Sequence, residues 1–165
     1  MAVLNKLDKY FKLNPGLTGD PHMYLGAKIR QMTLINGVVA WLMSPSKYVR
    51  EDAKNCPKHV KYNIHGKYTL PALSENPSVV RYKAVMDTSK ALDLADTSYF
   101  QSIIGVMRWM VEIGRINIAT EVSLISSHID YPEERHIEAV LHVMAYLKQE
   151  HNSRLVFDPT HPKID

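Results

Sequence analysis

Residues 23–44 read Met23-Tyr24-Leu25-Gly26-Ala27-Lys28-Ile29-Arg30-Gln31-Met32-Thr33-Leu34-Ile35-Asn36-Gly37-Val38-Val39-Ala40-Trp41-Leu42-Met43-Ser44. Two runs, Met23 to Ile35 and Val38 to Ser44, flank Asn36-Gly37. An Asn-Gly pair tolerates positive φ at both central positions, as a type I′ turn requires, so the stretch predicts a two-residue β-hairpin. Side chains alternate along a strand. Met23, Leu25, Ala27 and Ile29 then share one face, and Tyr24, Gly26, Lys28 and Arg30 the other. The hairpin is expected to have one apolar face and one that is basic near its base.

Upstream, Leu4, Leu7, Tyr10 and Phe11 fall at helical spacing, which predicts a short amphipathic helix over 2–13, stopped by Asn14-Pro15-Gly16. Downstream, Ser44-Pro45-Ser46 suits a helix start, with Ser44 as cap and Pro45 in the first turn. That helix is expected to reach about Asn55 and to end before Pro57. It carries Lys47, Arg50 and Lys54, with Tyr48, Val49 and Ala53 as a thin apolar stripe. Residues 56–95, punctuated by Pro57, Gly66, Pro71 and Pro77, read as a long linker with short extended pieces at Tyr68–Leu70 and Val79–Tyr82.

The back half reads as helical. Tyr99, Phe100, Ile103, Ile104, Met107, Met110 and Val111 make a wide apolar face over 97–113, ended by Gly114. Gly105 inside that helix costs about 1 kcal/mol against alanine, which is tolerable if another helix packs closely there. A second helix over 117–129 turns Ile118, Val122, Ile125 and Ile129 inward. A third starts at Asp130-Tyr131-Pro132-Glu133-Glu134, with Ile137, Val140, Leu141, Met144 and Leu147 as its core stripe. Leu155-Val156-Phe157 suits one short strand. The fold class expected is α+β, mainly α: an N-terminal hairpin followed by a helical bundle.

Composition sets the outer limits. The chain has 165 residues, 45% hydrophobic and 22% charged, which is an ordinary globular balance and argues against disorder. Residues 1–82 hold 12 Lys/Arg against 5 Asp/Glu, while residues 83–165 hold 8 against 12. A basic front half hints at a polyanionic partner. No run approaches the ~20 apolar residues of a membrane span, and the N-terminus lacks the form of a secretory signal. A single cysteine, Cys56, makes no internal disulfide, so a reducing, intracellular setting, cytoplasmic or nuclear, is expected.

A set of blocks then occurs in order. They are Tyr24-Leu25-Gly26, Met43-Ser44-Pro45-Ser46-Lys47-Tyr48-Val49, and Ser98-Tyr99-Phe100-Gln101-Ser102-Ile103-Ile104-Gly105 running on to Arg108-Trp109. After them come Gly114-Arg115-Ile116-Asn117-Ile118, Ser127-His128, Pro132, His136, Glu138-Ala139-Val140, Tyr146-Leu147-Lys148 and Leu155-Val156-Phe157. Together they resemble the C-terminal part of a copia-type retrotransposon reverse transcriptase, over residues 1–157. The resemblance implies that 1–44 are the end of the palm with a primer-grip-like hairpin, and that 45–95 are the thumb start and an irregular linker. It implies that 96–165 are a helical thumb and connection segment preceding RNase H. Two departures stand out. The family usually has Arg-Pro-Asp-Ile where this chain has Arg115-Ile116-Asn117-Ile118, and Gly where it has Arg135. Asn117 is expected still to cap a helix.

Polymerases hold two divalent metals on carboxylates, and the family's mark is a Tyr-x-Asp-Asp turn. This chain has no adjacent Asp-Asp. The resemblance implies a segment between the polymerase and RNase H active sites, with no catalytic residue, no cofactor of its own, and Mg2+ only in the full-length polymerase. Cys56-Pro57-Lys58-His59 with His65 falls short of the four ligands a structural zinc needs, so Cys56 reads as an exposed loop cysteine. His136 and His142 read as surface or boundary histidines, with Glu138 paired to His142 one turn away. Ser44, Ser46, Ser98 and Ser102 lack a nucleophile-elbow setting, and Trp41 and Trp109 read as core.

The basic set Lys28, Arg30, Lys47, Arg50, Lys54, Lys58, Lys61 and Lys67 interleaves with Tyr24, Tyr48, Tyr62 and Tyr68. On charge alone it reads as a solvated face. With the resemblance added, Tyr24, Leu25, Gly26, Lys28, Arg30, Lys47, Tyr48, Arg50 and Lys54 become candidate contacts to the backbone of a template–primer duplex. The partners expected are that RNA/DNA duplex and the rest of the retrotransposon polyprotein. The alternative is a domesticated or decayed transposon remnant serving as a helical protein-interaction module. A helix-pair DNA-binding domain ranks last, because Glu133, Glu134 and Glu138 crowd the start of its second helix.

Overall fold

The computed structural model describes residues 10–11, 19–63, 68–72, 74–78 and 89–160, with the side chains of 57–63 set aside. Apart from Tyr10 and Phe11, the helix expected over 2–13 lies outside the described residues, as does the extended piece expected over 79–82. Among the described residues there are strands β1 (Met23–Tyr24), β2 (Ala27–Thr33), β3 (Val39–Ser44) and β4 (Leu155–Phe157), and helices α1 (Ser46–Asn63), α2 (Leu94–Glu112), α3 (Ala119–Ser126) and α4 (Glu134–Gln149). The class is α+β, mainly α.

The sheet is antiparallel, in the order β1-β2-β3-β4. The hairpin expected from Asn36-Gly37 is present as β2–β3, but its loop differs. Thr33 pairs with Val39, the Leu34 amide donates to the Val38 carbonyl at 2.8 Å, and the Gly37 amide donates to Leu34 at 2.9 Å. Only Gly37 of the Asn-Gly pair has positive φ, at 79°. The connection is therefore a three-residue loop closed by a left-handed glycine, one residue longer than a type I′ turn. That residue shifts the register by one and sets Arg30 opposite Leu42. The first strand is also shorter than expected. Leu25 and Gly26, both at positive φ, form a tight turn that pairs Tyr24 with Ala27. The clean division into an apolar and a basic face does not hold. Ala40 and Leu42 are buried on one side of β3, while Trp41 and Met43 are half-buried on the other.

Helix α1 runs through Pro57, where the sequence predicted a stop. A mid-helix proline removes one hydrogen bond at a cost of roughly 3 kcal/mol. Val49, Ala53 and Cys56 are buried along α1, which packs on α4, α2 and β2, and that burial carries the helix on. Helix α2 starts three residues before the predicted 97, because the Asp93 carboxylate accepts the Asp96 amide at 2.8 Å. It ends in a Schellman turn. Gly114, at φ 113°, donates to Val111, and the Arg115 amide donates to Met110 at 2.9 Å. Its predicted apolar face is buried at Tyr99, Phe100, Ile103, Ile104, Met107 and Met110. Among the described residues nothing lies within 4 Å of a Cβ added at Gly105, so no described helix packs closely there.

A single 3₁₀ turn, Ile116–Ile118, leads into α3, which is shorter than the predicted 117–129. The stripe Ile137, Val140, Leu141, Met144 and Leu147 of α4 is buried in one cluster with the α2 face, Val122 and Ile125. Part of the expected linker is ordered against α4. The Leu92 amide donates to the Pro132 carbonyl, and the Glu134 amide to the Lys90 carbonyl, each at 3.0 Å. Trp109 stays 36% exposed and Trp41 half-buried, so neither is core. No helix among the described residues is long and apolar enough to cross a membrane.

Candidate nucleic-acid interface

Lys28 and Arg30 lie two apart on β2, so their side chains leave the same side of the sheet, and both are exposed. Lys28 pairs with Ser44, two residues before α1 begins. The Ser44 and Ser46 hydroxyls are hydrogen-bonded to each other at this corner. Lys47, Arg50 and Lys54 follow at spacings of three and four, which places them along one side of α1. All three are exposed, opposite the buried Val49, Ala53 and Cys56. Lys28 thus lies beside the β3–α1 corner, and Lys47, Arg50 and Lys54 run from it along the exposed side of α1. Glu51 lies among them, 4.0 Å from the Lys47 ammonium, a solvent-screened contact that leaves the field of the group positive.

Tyr24 and Leu25 are 54% and 52% exposed at the tip of the β1–β2 turn. Leu25 holds φ at 50°, a left-handed conformation that costs a side chain with a Cβ roughly 1 kcal/mol. Tyr48 sits differently from the rest. Its ring packs against the helical core, and burial, then the Asp52 charge and hydrogen bond, push its phenol above the ordinary range. The side chains of Lys58, Lys61 and Tyr62 and all of Lys67 lie outside the described part. Tyr68 is buried.

Several polar centres escaped the sequence reading. Cys56 is 4% exposed on α1, not in a loop, at the floor of a cleft of about 180 Å³ between α1, α2 and α4. Its sulfur lies 3.9 Å from the Tyr99 hydroxyl, which also donates to the Cys56 carbonyl at 3.5 Å. Burial pushes the thiol up to about 11 and raises the Tyr99 phenol as well. A thiol held protonated is a poor nucleophile and a poor metal ligand.

Ser74 and His142 approach to 3.0 Å and resemble a nucleophile–base pair. The His142 Nε2 also lies 3.1 Å from the Asn76 carbonyl, which only accepts, so that nitrogen carries the hydrogen and is no base toward Ser74. The pair clamps the loop around Asn76, and the expected Glu138 contact is replaced by it.

Arg115 is fully buried. It donates to the Glu150 carbonyl at 2.6 Å and to the Asn117 side chain at 3.1 Å, and Asn117 donates to the Tyr146 hydroxyl at 2.7 Å. Asn117 thus bridges Arg115 and Tyr146 instead of capping α3, whose first residues have no side-chain cap. Burial lowers the guanidinium's affinity for its proton, chiefly against the opposing influence of Tyr146 and Glu150. His136, expected near the surface, is 2% exposed. None of these has a local sequence signature, because each pairs residues tens of positions apart or depends on burial.

Comparison with protein-family models, with curated proteins and with solved structures gives no match to this chain.

Proposed function

We propose that the chain is a segment of a copia-type reverse transcriptase that helps hold the template–primer duplex, without the polymerase or RNase H carboxylates. The observation that carries the reading is that Lys28, Arg30, Lys47, Arg50 and Lys54 are all exposed, with Lys28 paired to Ser44 just before α1 and the last three along one side of that helix. The ordered sequence blocks support it from a second side. Contacts of this kind bind phosphates, position a duplex and read little sequence. The partners in this reading are the RNA/DNA duplex and the rest of the polyprotein, in a cytoplasmic or nuclear setting. Mg2+ belongs to the full-length polymerase.

Fluorescence anisotropy with a labelled template–primer duplex at rising salt tests the proposal. The expected log–log slope is about −0.9 per neutralised phosphate, and Lys28→Ala with Arg30→Ala should flatten it by about two. Absence of binding at low salt, or binding indifferent to salt, rules the grip out. The alternative, a transposon remnant acting as a protein-interaction module, draws on the exposed Met23, Val39 and Phe157 of the sheet. It gains if the duplex fails to bind and the chain self-associates.

A further inference from the structure

The start of α4 is a junction of three chain segments. The extended residues 89–92 hydrogen-bond to 132–134, the turn after α3 brings in His128, and α2 contributes Phe100. At its centre is a capping box of uncommon composition. The Glu133 side chain accepts the His136 backbone amide, and the Glu133 amide donates to the His136 Nδ1 at 2.8 Å. The second half of a capping box is ordinarily made by Glu or Gln at this position, whose oxygens accept at any pH near neutrality. Here the acceptor is an imidazole lone pair. The bond exists only while Nδ1 is unprotonated, which fixes the hydrogen of the neutral ring on Nε2.

The other side of the ring adds a second constraint. His128 and His136 are stacked, with centroids 4.1 Å apart and an interplanar angle of 17°. Two imidazolium rings do not share that geometry, because like charges at this distance repel strongly where water is scarce. The charged and titratable groups around His136 are His128 from the α3–α4 turn, and Glu133, Glu134 and Arg135 at the start of α4. Lys90 from the extended segment and Asp96, one turn before Phe100 on α2, complete the set. The Glu133 carboxylate, which attracts a proton toward the imidazole, is already engaged by the His136 amide and by the Ser89 hydroxyl at 3.3 Å. Proton uptake at Nδ1 therefore deletes one cap bond, turns a second N–H toward the Glu133 amide, and places a cation against the His128 face.

We infer that the His128–His136 stack and the Glu133–His136 capping box form an acid-sensitive latch that holds the first turn of α4 to the 89–92 segment. The latch closes with the His136 Nδ1 unprotonated. Acidification releases the α4 start and the extended segment together, because both are tied to the same two residues, Glu133 and Glu134. The sign follows from linkage. The folded latch excludes a proton that the opened form takes up, so its stability falls as pH falls, by at most tenfold in the opening equilibrium per pH unit for one proton.

Hydrogen exchange followed by mass spectrometry on the full chain, at pH 7.5 and pH 5.5 after correction for intrinsic rates, reads the latch directly. Protection over 134–138 should fall by up to about tenfold between those values, while protection over the middle of α2 stays level. The variant His136→Gln keeps an acceptor at the capping position and does not titrate. It should hold the α4 start closed at both pH values. Equal loss of protection at pH 5.5 in the variant and the parent, or a loss spread evenly over all helices, overturns the inference. If the variant proves unstable at neutral pH, the parent's own exchange profile still decides between a local and a uniform response.

Discussion

The same substitution, glycine to alanine, should have opposite effects at Gly105 inside α2 and at Gly114 just past its end. Gly105 lies in the helix interior, exposed, and a Cβ added there meets no described residue within 4 Å. Alanine removes the glycine penalty of about 1 kcal/mol in a helix and narrows the unfolded ensemble. For a chain of this size that gain raises the melting temperature by about 2–4 °C. Gly114 closes the helix at φ 113°, and its added Cβ would lie 3.3 Å from the Met43 methyl and 3.8 Å from the Leu155 Cβ. Both backbone strain and crowding then act against alanine, for a loss of about 1–3 kcal/mol. Urea unfolding followed by far-UV circular dichroism, with unchanged m values, measures both. If Gly105→Ala destabilises, a neighbour touches that helix face after all. If Gly114→Ala is neutral, the Schellman turn and its contact with β3 are misassigned.

Three further outcomes follow from buried or strained groups. Arg115→Ala should cost about 3 kcal/mol or more in the same urea assay, because a charge-assisted bond is lost and a cavity is left. Arg115→Lys should recover only part of that, since an ammonium lacks the guanidinium fork. The Cys56 thiol is pushed up to about 11, so its contribution is complete below the ordinary thiol value of about 8.5 and is lost as pH rises toward 11. Cys56→Ala should flatten that alkaline fall in stability, and native Cys56 should react with a disulfide reagent only after denaturant is added. Leu25→Asn should relieve left-handed strain and stabilise by up to about 1 kcal/mol. If the turn touches nucleic acid, the same variant should bind the duplex more weakly, and a gain in both properties argues against contact there.

Much of the fold was legible because it rests on periodicity. The α2 face from Tyr99 to Met110, the α4 stripe from Ile137 to Leu147, and the strand Leu155–Phe157 all occur where apolar spacing set them. What periodicity does not carry is turn geometry and the fate of polar groups. Leu25-Gly26 looked like strand because a leucine in a left-handed turn is disfavoured. Pro57 looked like a helix end because the burial of Cys56 and Ala53 against other helices is not visible locally. His136 looks superficial in sequence because its burial depends on His128 from the preceding turn and Phe100 from α2, while its local bond to the Glu133 amide uses an imidazole where Glu or Gln is usual. The candidate interface was legible as a set of cations, whereas the position of Lys28 beside the start of α1 depends on the Lys28–Ser44 pairing.

The sheet explains why cations are exposed on a surface that also buries leucine. β3 runs between β2 and β4 and holds the buried Ala40 and Leu42, while β2 has β1 beside it only at Ala27 and Lys28. Arg30 is exposed although it pairs with the buried Leu42. An arginine there has two possible uses. Charge on an edge strand discourages pairing with another chain, and a cation binds phosphate. Arg30→Glu separates them, because it keeps a charge at the edge and reverses its sign. If phosphate contact is the use, the variant keeps the parent's oligomeric state by light scattering and loses duplex affinity, with a smaller salt slope. Unchanged affinity together with an unchanged oligomeric state would assign Arg30 to guarding the edge alone, and the grip would then rest on Lys47, Arg50 and Lys54 of α1.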